Sequence, residues 1–321
     1  MEQTIKGRVV KIESKDYYVL SEDHKTIRCN LRGKFKKRFN LKKDKLFTLD
    51  VVAVGDFVDF NLNEDGSGTI NEIAERKNYL SRKAPKIKGA SYRGERLEQI
   101  ISANIDNLFV VSSVDSPLFN NRVIDRILVA SESSHIAGSI IINKIDLDTD
   151  NNIEYWVDLY KKIGYNVFTT CAKTGFGTEE LEKYIKGKVN LFWGQSGVGK
   201  SSLLNYLYKL DLNIREISSF SGKGKHTTVT SVMMEVRKDT FIVDTPGIRE
   251  IEPYGIKKED LGHYFIEFAD FIDDCKFNTC THMHEPGCAV LDAVELGEIS
   301  GYRYESYLKL LDSIEDDMIF T

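Results

Sequence analysis

The segment Gly194-Gln-Ser-Gly-Val-Gly199-Lys200-Ser201 places glycines, a lysine and a hydroxyl at the spacing G-x-x-x-x-G-K-[ST]. Small residues at Gly194, Gly197 and Gly199 let backbone N–H groups around Gln195, Ser196 and Val198 converge on phosphate oxygens. The helix that opens at Lys200, with Ser202 in its first turn, adds partial positive charge. Lys200 is expected to bridge the β- and γ-phosphates and Ser201 to ligate Mg²⁺. Asp244-Thr-Pro-Gly247 follows the apolar run Thr240–Val243. A strand-end carboxylate ahead of a glycine suits a water-mediated Mg²⁺ contact by Asp244, and the Gly247 amide can meet the γ-phosphate. Asn143-Lys144-Ile145-Asp146 ends another apolar run. An aspartate accepts two hydrogen bonds from guanine N1–H and its exocyclic amine, a donor pair adenine lacks, so Asp146 selects guanine. Asn143 would brace the loop and contact N7, and the Lys144 stem would cover the base face. In Cys171-Ala172-Lys173-Thr174-Gly175 the Ala172 amide, beside Lys173, is placed to donate to guanine O6. Together these segments point to GTP with Mg²⁺ rather than ATP.

Hydrolysis needs an oriented water, for which many GTPases use a glutamine directly after D-x-x-G. Ile248 stands there instead and cannot do it. The glycines and charges of Ser221-Gly-Lys-Gly-Lys225-His226-Thr227-Thr228 read as a loop that orders around nucleotide. His226 is the candidate to position the water, and one threonine of the pair, Thr228 or Thr227, completes the Mg²⁺ shell. Slow intrinsic turnover with strong stimulation by a partner is expected.

Two further clusters carry chemistry. Cys275-x4-Cys280-x-His282-x5-Cys288 supplies three thiolates and an imidazole within 14 residues, with His284 as an alternative to His282. Four soft protein ligands make a closed tetrahedral set, hence one structural Zn²⁺ and not a catalytic one. Cys29 and Cys171 read as ordinary core or loop cysteines. Arg32 to Lys45 holds eight basic residues in 14, interleaved with Phe35 and Phe39, and Arg82–Lys88 is a second basic stretch. Cations neutralise phosphates while aromatics stack bases, so this end is expected to bind RNA.

These groups need elements to hold them. Short alternating runs at Ile5–Ile12, Tyr17–Leu20, Thr26–Leu31, Val51–Leu62 and Gly68–Ile73 predict a small OB-like β-barrel over 1–75. Residues 74–100 read as a polar, basic connector. Apolar strand runs at 107–113, 138–143, 166–170 and 188–193 then alternate with helical spacing at 121–132, 155–163, 178–186 and 200–209. That alternation predicts a doubly wound α/β domain over 76–252, connector included. Helices are expected at Lys258–Phe271, Ala289–Leu296 and up to Ile314, giving a helical zinc-binding domain over 253–321. The net charge of −5 hides a division: residues 1–100 carry 22 basic and 15 acidic side chains, the rest 22 and 34. No apolar run reaches the length of a membrane span, and the charged N-terminus lacks a signal core. A cytoplasmic monomer without membrane contact is expected.

The motifs stand in an unusual order. The base-reading NKID and CAK segments precede the phosphate loop, the threonine pair and DTPG, so the set is complete but circularly permuted. Permutation is tolerated where the original ends lie close together. This order resembles the circularly permuted, small-ribosomal-subunit-dependent GTPases of the RsgA family. The residues that carry it are Asn143–Asp146, Gly194–Ser202, Gly224–Thr228, Asp244–Arg249 and the Cys/His set. The resemblance covers nearly the whole chain. It implies a multidomain α/β protein of barrel, permuted GTPase and zinc domain that hydrolyses GTP to GDP and phosphate in late maturation of the small subunit. It further implies rRNA as partner, a role for His226 in hydrolysis, and His282 as the fourth zinc ligand.

Overall fold

The structure is a computed structural model and describes residues 4–33, 51–83, 98–209, 231–244 and 255–314. Strands β1 (Thr4–Glu13), β2 (Asp16–Ser21), β3 (Thr26–Leu31), β4 (Phe57–Leu62) and β5 (Gly68–Ile73) form the barrel. The order β1-β2-β3-β5-β4 closes through antiparallel β1–β4 pairing, with Ile5 opposite Phe60. Alternation sends Val9, Val19, Cys29, Val58, Phe60 and Ile70 inward to one core. The run expected as one strand over Val51–Leu62 splits. Asp56 accepts from Ala53 N–H at 2.8 Å and from Arg76 Nε at 2.7 Å, which fixes a turn ahead of β4.

The stretch expected as a connector contains an antiparallel pair, β6 (Tyr79–Lys83) with β7 (Glu98–Ala103). Their shortness and the basic stretch between them hid them. Asn78 fastens the pair to the next domain: its Nδ2 donates to Ile105 O and its Oδ1 accepts from Ile105 N–H, both at 2.9 Å.

The second body is a six-stranded sheet of β8 (Asn107–Ser113), β9 (Ala137–Asn143), β10 (Asn166–Thr169), β11 (Val189–Gly194), β12 (Val232–Arg237) and β13 (Thr240–Asp244). Its order is β10-β9-β8-β11-β13-β12; all pairings are parallel except β12–β13. Helices α1 (Asn121–Ser133), α2 (Glu154–Ile163), α3 (Thr178–Ile185) and α4 (Lys200–Tyr208) cover it. Leu108, Val110, Ile140, Ile142 and Leu191 pack with Ile124 and Leu128 of α1 on one face. Phe109, Val111, Ile141, Phe192 and Ile242 pack with α3 and α4 on the other. Burial on both faces is why these strands are continuous apolar runs. β12 was not expected from sequence; it joins the two bodies, pairing with β1 at Lys11↔Val232.

The C-terminal part carries α5 (Ala269–Ile272), α6 (Ala289–Glu295) and α7 (Gly301–Ser313). The helix expected over Lys258–Phe271 is instead 3₁₀ turns at Lys258–Tyr264 and Ile266–Phe268 followed by α5. Gly262 explains part of this: a Cβ there would lie 2.8 Å from His282 Nε2, so the chain bends to admit the imidazole. Phe265, Phe268, Val290, Ile299, Tyr307 and Leu310 form its core together with Val129 of α1. At that joint Arg303, fully buried, donates to Asp125 of α1 at 2.6 Å and to both oxygens of Glu267 at 2.6 and 3.0 Å.

Candidate nucleotide site and metal centre

The phosphate-loop motif occupies the turn between β11 and α4. Gly197 and Gly199 both have φ of 90°, a left-handed backbone that favours glycine. Val198 is buried and anchors the loop, while Gln195, Ser196 and Gly197 are exposed. Ser201 and Ser202 sit on the first turn of α4. Lys200 Nζ donates to Asp244 Oδ1 at 3.1 Å, so the groups expected to serve phosphate and Mg²⁺ face each other.

Asn143, at the end of β9 and buried, ties three loops together. Its Nδ2 donates to Val198 O at 3.0 Å in the phosphate loop. Its Oδ1 accepts from Thr170 Oγ1 and from Ala172 N–H, each at 3.2 Å. The bracing expected of Asn143 is therefore present, and the Ala172 amide expected to meet guanine O6 is engaged by it. A Cβ on Gly199 would lie 2.3 Å from Asn143 Nδ2, so only glycine admits this brace. Lys144 adopts φ 61° and donates through Nζ to Ser116 O, with Asp115 O at 3.4 Å, which lays its stem beside the phosphate loop. Asp146, in the turn Ile145–Leu147, is held from one side by Cys171 Sγ at 3.2 Å and faces Lys173 Nζ at 3.8 Å. Cys171 is thus part of the site and not a bystander. Sequence reading also missed Thr170 and the Asp115–Ser116 carbonyls, which belong to no spacing rule. His226, Thr227, Thr228, Gly247 and Ile248 lie outside the described residues, as does the basic run from Lys34 to Lys45.

The second cluster assembles as expected. The donor atoms of Cys275, Cys280, His282 and Cys288 lie within 4.8 Å of one another. Nδ1 is the inward imidazole atom, 3.6 Å from Cys275 Sγ and 3.4 Å from Cys288 Sγ. His284 is exposed and outside the cluster. Glu285 builds the loop. Burial opposes its ionisation, but hydrogen bonds from Thr281, Met283 and His284 hold its carboxyl well below the usual range. Tyr304 and Tyr307 donate to the carbonyls of His282 and Thr281 at 2.8 and 2.6 Å. Burial pushes the Cys280 thiol up to about 12, against a hydrogen bond at the His282 backbone that favours the thiolate. Thiols this close and this desolvated fit a bound cation that stabilises them as thiolates.

Fold and site define a phosphate-loop GTPase whose base-reading strands precede its phosphate loop, flanked by a barrel and a Cys₃His domain. Comparison with known proteins gives the family. Residues 73–253 match the model for the RsgA GTPase and residues 6–70 that for the RsgA N-terminal domain. A protein of Chlorobaculum parvum named small ribosomal subunit biogenesis GTPase RsgA is 38% identical over 321 residues, covering 98% of this chain and 100% of that protein. One of the same name from a Geobacillus species is 40% identical over 314 residues, covering 97% of each. The crystal structure of YjeQ from Thermotoga maritima superposes with TM-score 0.76 at 34% identity, covering 97% of this chain and 98% of that one. That of YloQ, described as a circularly permuted GTPase, gives 0.72 at 32%, covering 98% and 96%. The chain belongs to the RsgA GTPase family, and it is a GTP-hydrolysing enzyme.

Proposed function

We propose that this chain hydrolyses GTP to GDP and phosphate in late maturation of the small ribosomal subunit, with the subunit as its activator. The observation that carries the guanine-nucleotide reading is the Asn143 brace, which ties the Ala172 loop to the phosphate loop and sits next to the Asp146 segment. Base and phosphates of one guanine nucleotide fit this arrangement. Asp146 would accept from the guanine edge, the Lys144 stem would cover its face, and the amides of the phosphate loop would hold the phosphates. Lys200 would exchange Asp244 for the β- and γ-phosphates. Mg²⁺ would be held through Ser201, Asp244 and Thr228 and would supply charge neutralisation. His226 would orient the attacking water in place of the glutamine this chain lacks. His226→Ala should slow turnover and spare GTP binding; unchanged turnover removes the role.

The metal of the Cys₃His cluster is proposed to be one Zn²⁺, structural because all four positions are protein ligands. The basic barrel loop and Arg82–Lys88 would grip rRNA phosphates, and the names of the relatives point to the small subunit as their source. A cytoplasmic monomer would suit that role, and among the described residues no helix is long and apolar enough to cross a membrane. The decisive experiment compares GTP turnover with and without purified small subunits, using large subunits and ATP as controls. Stimulation by small subunits alone, absent with ATP, is the expected outcome. Equal rates under all conditions would overturn the proposal.

A further inference from the structure

The barrel and the GTPase body meet at a strand edge beside a shared apolar cluster. Strand β1 pairs with β12 at Lys11↔Val232. Val232 pairs on its other side with Asp244 of β13. Asp244 in turn accepts from Lys200 Nζ at 3.1 Å. One row across the sheet therefore starts in the barrel and ends on the phosphate-loop lysine.

Side chains clamp this row from both bodies. His24 Nδ1, on the β2–β3 turn of the barrel, lies 2.9 Å from Glu235 Oε2 of β12. The other oxygen of Glu235 accepts from Asp239 N–H at 3.0 Å and so shapes the β12–β13 turn. The Arg8 guanidinium lies 4.2 Å from the ring centre of Phe57, in the barrel, and 5.0 Å from that of Phe241, in β13. Its Nε is buried without a hydrogen-bond partner, so the aromatic faces hold it in place. Beside these contacts opens a cavity of about 670 Å³ lined by both bodies, among them Lys6, Arg8, Phe57, Asp106 and Phe241. The bodies thus touch through a strand edge, these side chains and one apolar cluster that holds Val10, Val54 and Leu20 of the barrel together with Met233 and Val243.

A hydrogen-bonded strand pair keeps its register, because slipping by one residue reverses every side chain. Turning the barrel must then carry β12 with it, and β12 is paired to the strand that ends at Asp244. We propose that the barrel controls the nucleotide site through the row Lys11–Val232–Asp244–Lys200, with Arg8, His24 and Glu235 as positioning residues that make the joint stiff. This rests on the proposed activation by the small subunit. RNA held on the barrel re-aims β12 and shifts Asp244 relative to Lys200. By linkage, the nucleotide must bias the barrel's hold on RNA by the same factor.

The test uses the full chain carrying R8A and H24A together. It measures basal GTP turnover, turnover with saturating small subunits, and small-subunit affinity with a non-hydrolysable GTP analogue and with GDP. Basal turnover and KM should match the unsubstituted chain. Stimulation should fall roughly tenfold, within the usual span of coupling factors, and the two affinities should approach each other. His24 and Glu235 give a second arm. H24E alone sets like charges together and should lower stimulation, while H24E with E235Q removes the repulsion, keeps an acceptor for Asp239 N–H and should restore it. That arm carries the test if R8A unfolds the barrel. Stimulation and an affinity ratio equal to the unsubstituted chain in R8A/H24A, or no rescue by H24E with E235Q, would overturn the proposal. An unsubstituted chain that small subunits do not stimulate would instead overturn the reading beneath it.

Discussion

Arg303→Ala should undock the C-terminal helices from the GTPase body. Arg303 and Asp125 are both fully buried, and Glu267 is nearly so. Burial by itself would lower the Arg303 pKa, but Asp125 and Glu267 outweigh it and hold the guanidinium charged. Phe265 lies 4.7 Å below it, and Tyr160 also donates to Asp125 at 2.6 Å. Truncation leaves two carboxylates stranded in a desolvated joint. Breaking a buried pair by removing one partner costs about 3–5 kcal/mol. At 1.36 kcal/mol per tenfold, amide-exchange protection over Gly301–Ser313 should fall by roughly two to four powers of ten. Exchange followed by mass spectrometry reads this directly on the metal-loaded, GDP-bound chain. Replacing all three charges, as R303M with D125N and E267Q, should cost less than R303A alone, because no charge is then stranded. A loss of protection under tenfold in R303A would refute the reasoning, as would a triple variant worse than the single one.

Other predictions bear on the two sites. Gly199→Ala places a Cβ against Asn143 at a left-handed position, and should weaken GDP binding in a fluorescence titration by at least about fivefold, from about 1–2 kcal/mol of backbone strain alone. Asn143→Ala strands Val198 O, Thr170 Oγ1 and Ala172 N–H; at about 1–3 kcal/mol for each buried unpaired group, GDP affinity should fall by roughly 100-fold or more in the same titration. Cys288→Ser should lower the metal content and open the C-terminal part to protease, whereas His284→Ala should leave one metal per chain by elemental analysis. Protein purified without chelator that contains no zinc would remove the metal assignment.

How much of this was legible in the sequence depended on the range over which each signal acts. The strands of the GTPase sheet stood out because burial on both faces makes them unbroken apolar runs, as in Asn107–Ser113. The phosphate loop and Cys₃His set stood out because their ligand atoms lie close in the chain. β12 was missed because VMMEVR, with only Met233 fully buried, carries weak alternation. β6 and β7 were missed because both are short and each carries its polar residues toward the basic stretch that separates them, which masks the apolar Ile100 and Ile101. Arg303 is a single arginine in YRYESY, and nothing local marks its partners, 36 and 178 residues away. Cys171 was read as a bystander because a thiol donating to Asp146 is visible only once β9 and β10 lie side by side.

The order of strands also sets a schedule for synthesis. Chains emerge N-terminus first. The barrel and strands β8, β9 and β10, with the Asn143–Asp146 and Cys171–Lys173 segments, are therefore made well before the phosphate loop. Until β11 arrives, β8 presents an open edge of seven residues, nearly all buried in the finished sheet. The last strands, β12 and β13, complete the sheet next to β11 and at the same time join it to β1, more than 200 residues earlier in the chain. The ribosome thus finishes the Lys200–Asp244 pair and the barrel joint in one step. A nascent chain has no complete nucleotide site before its N-terminal barrel is fastened to it.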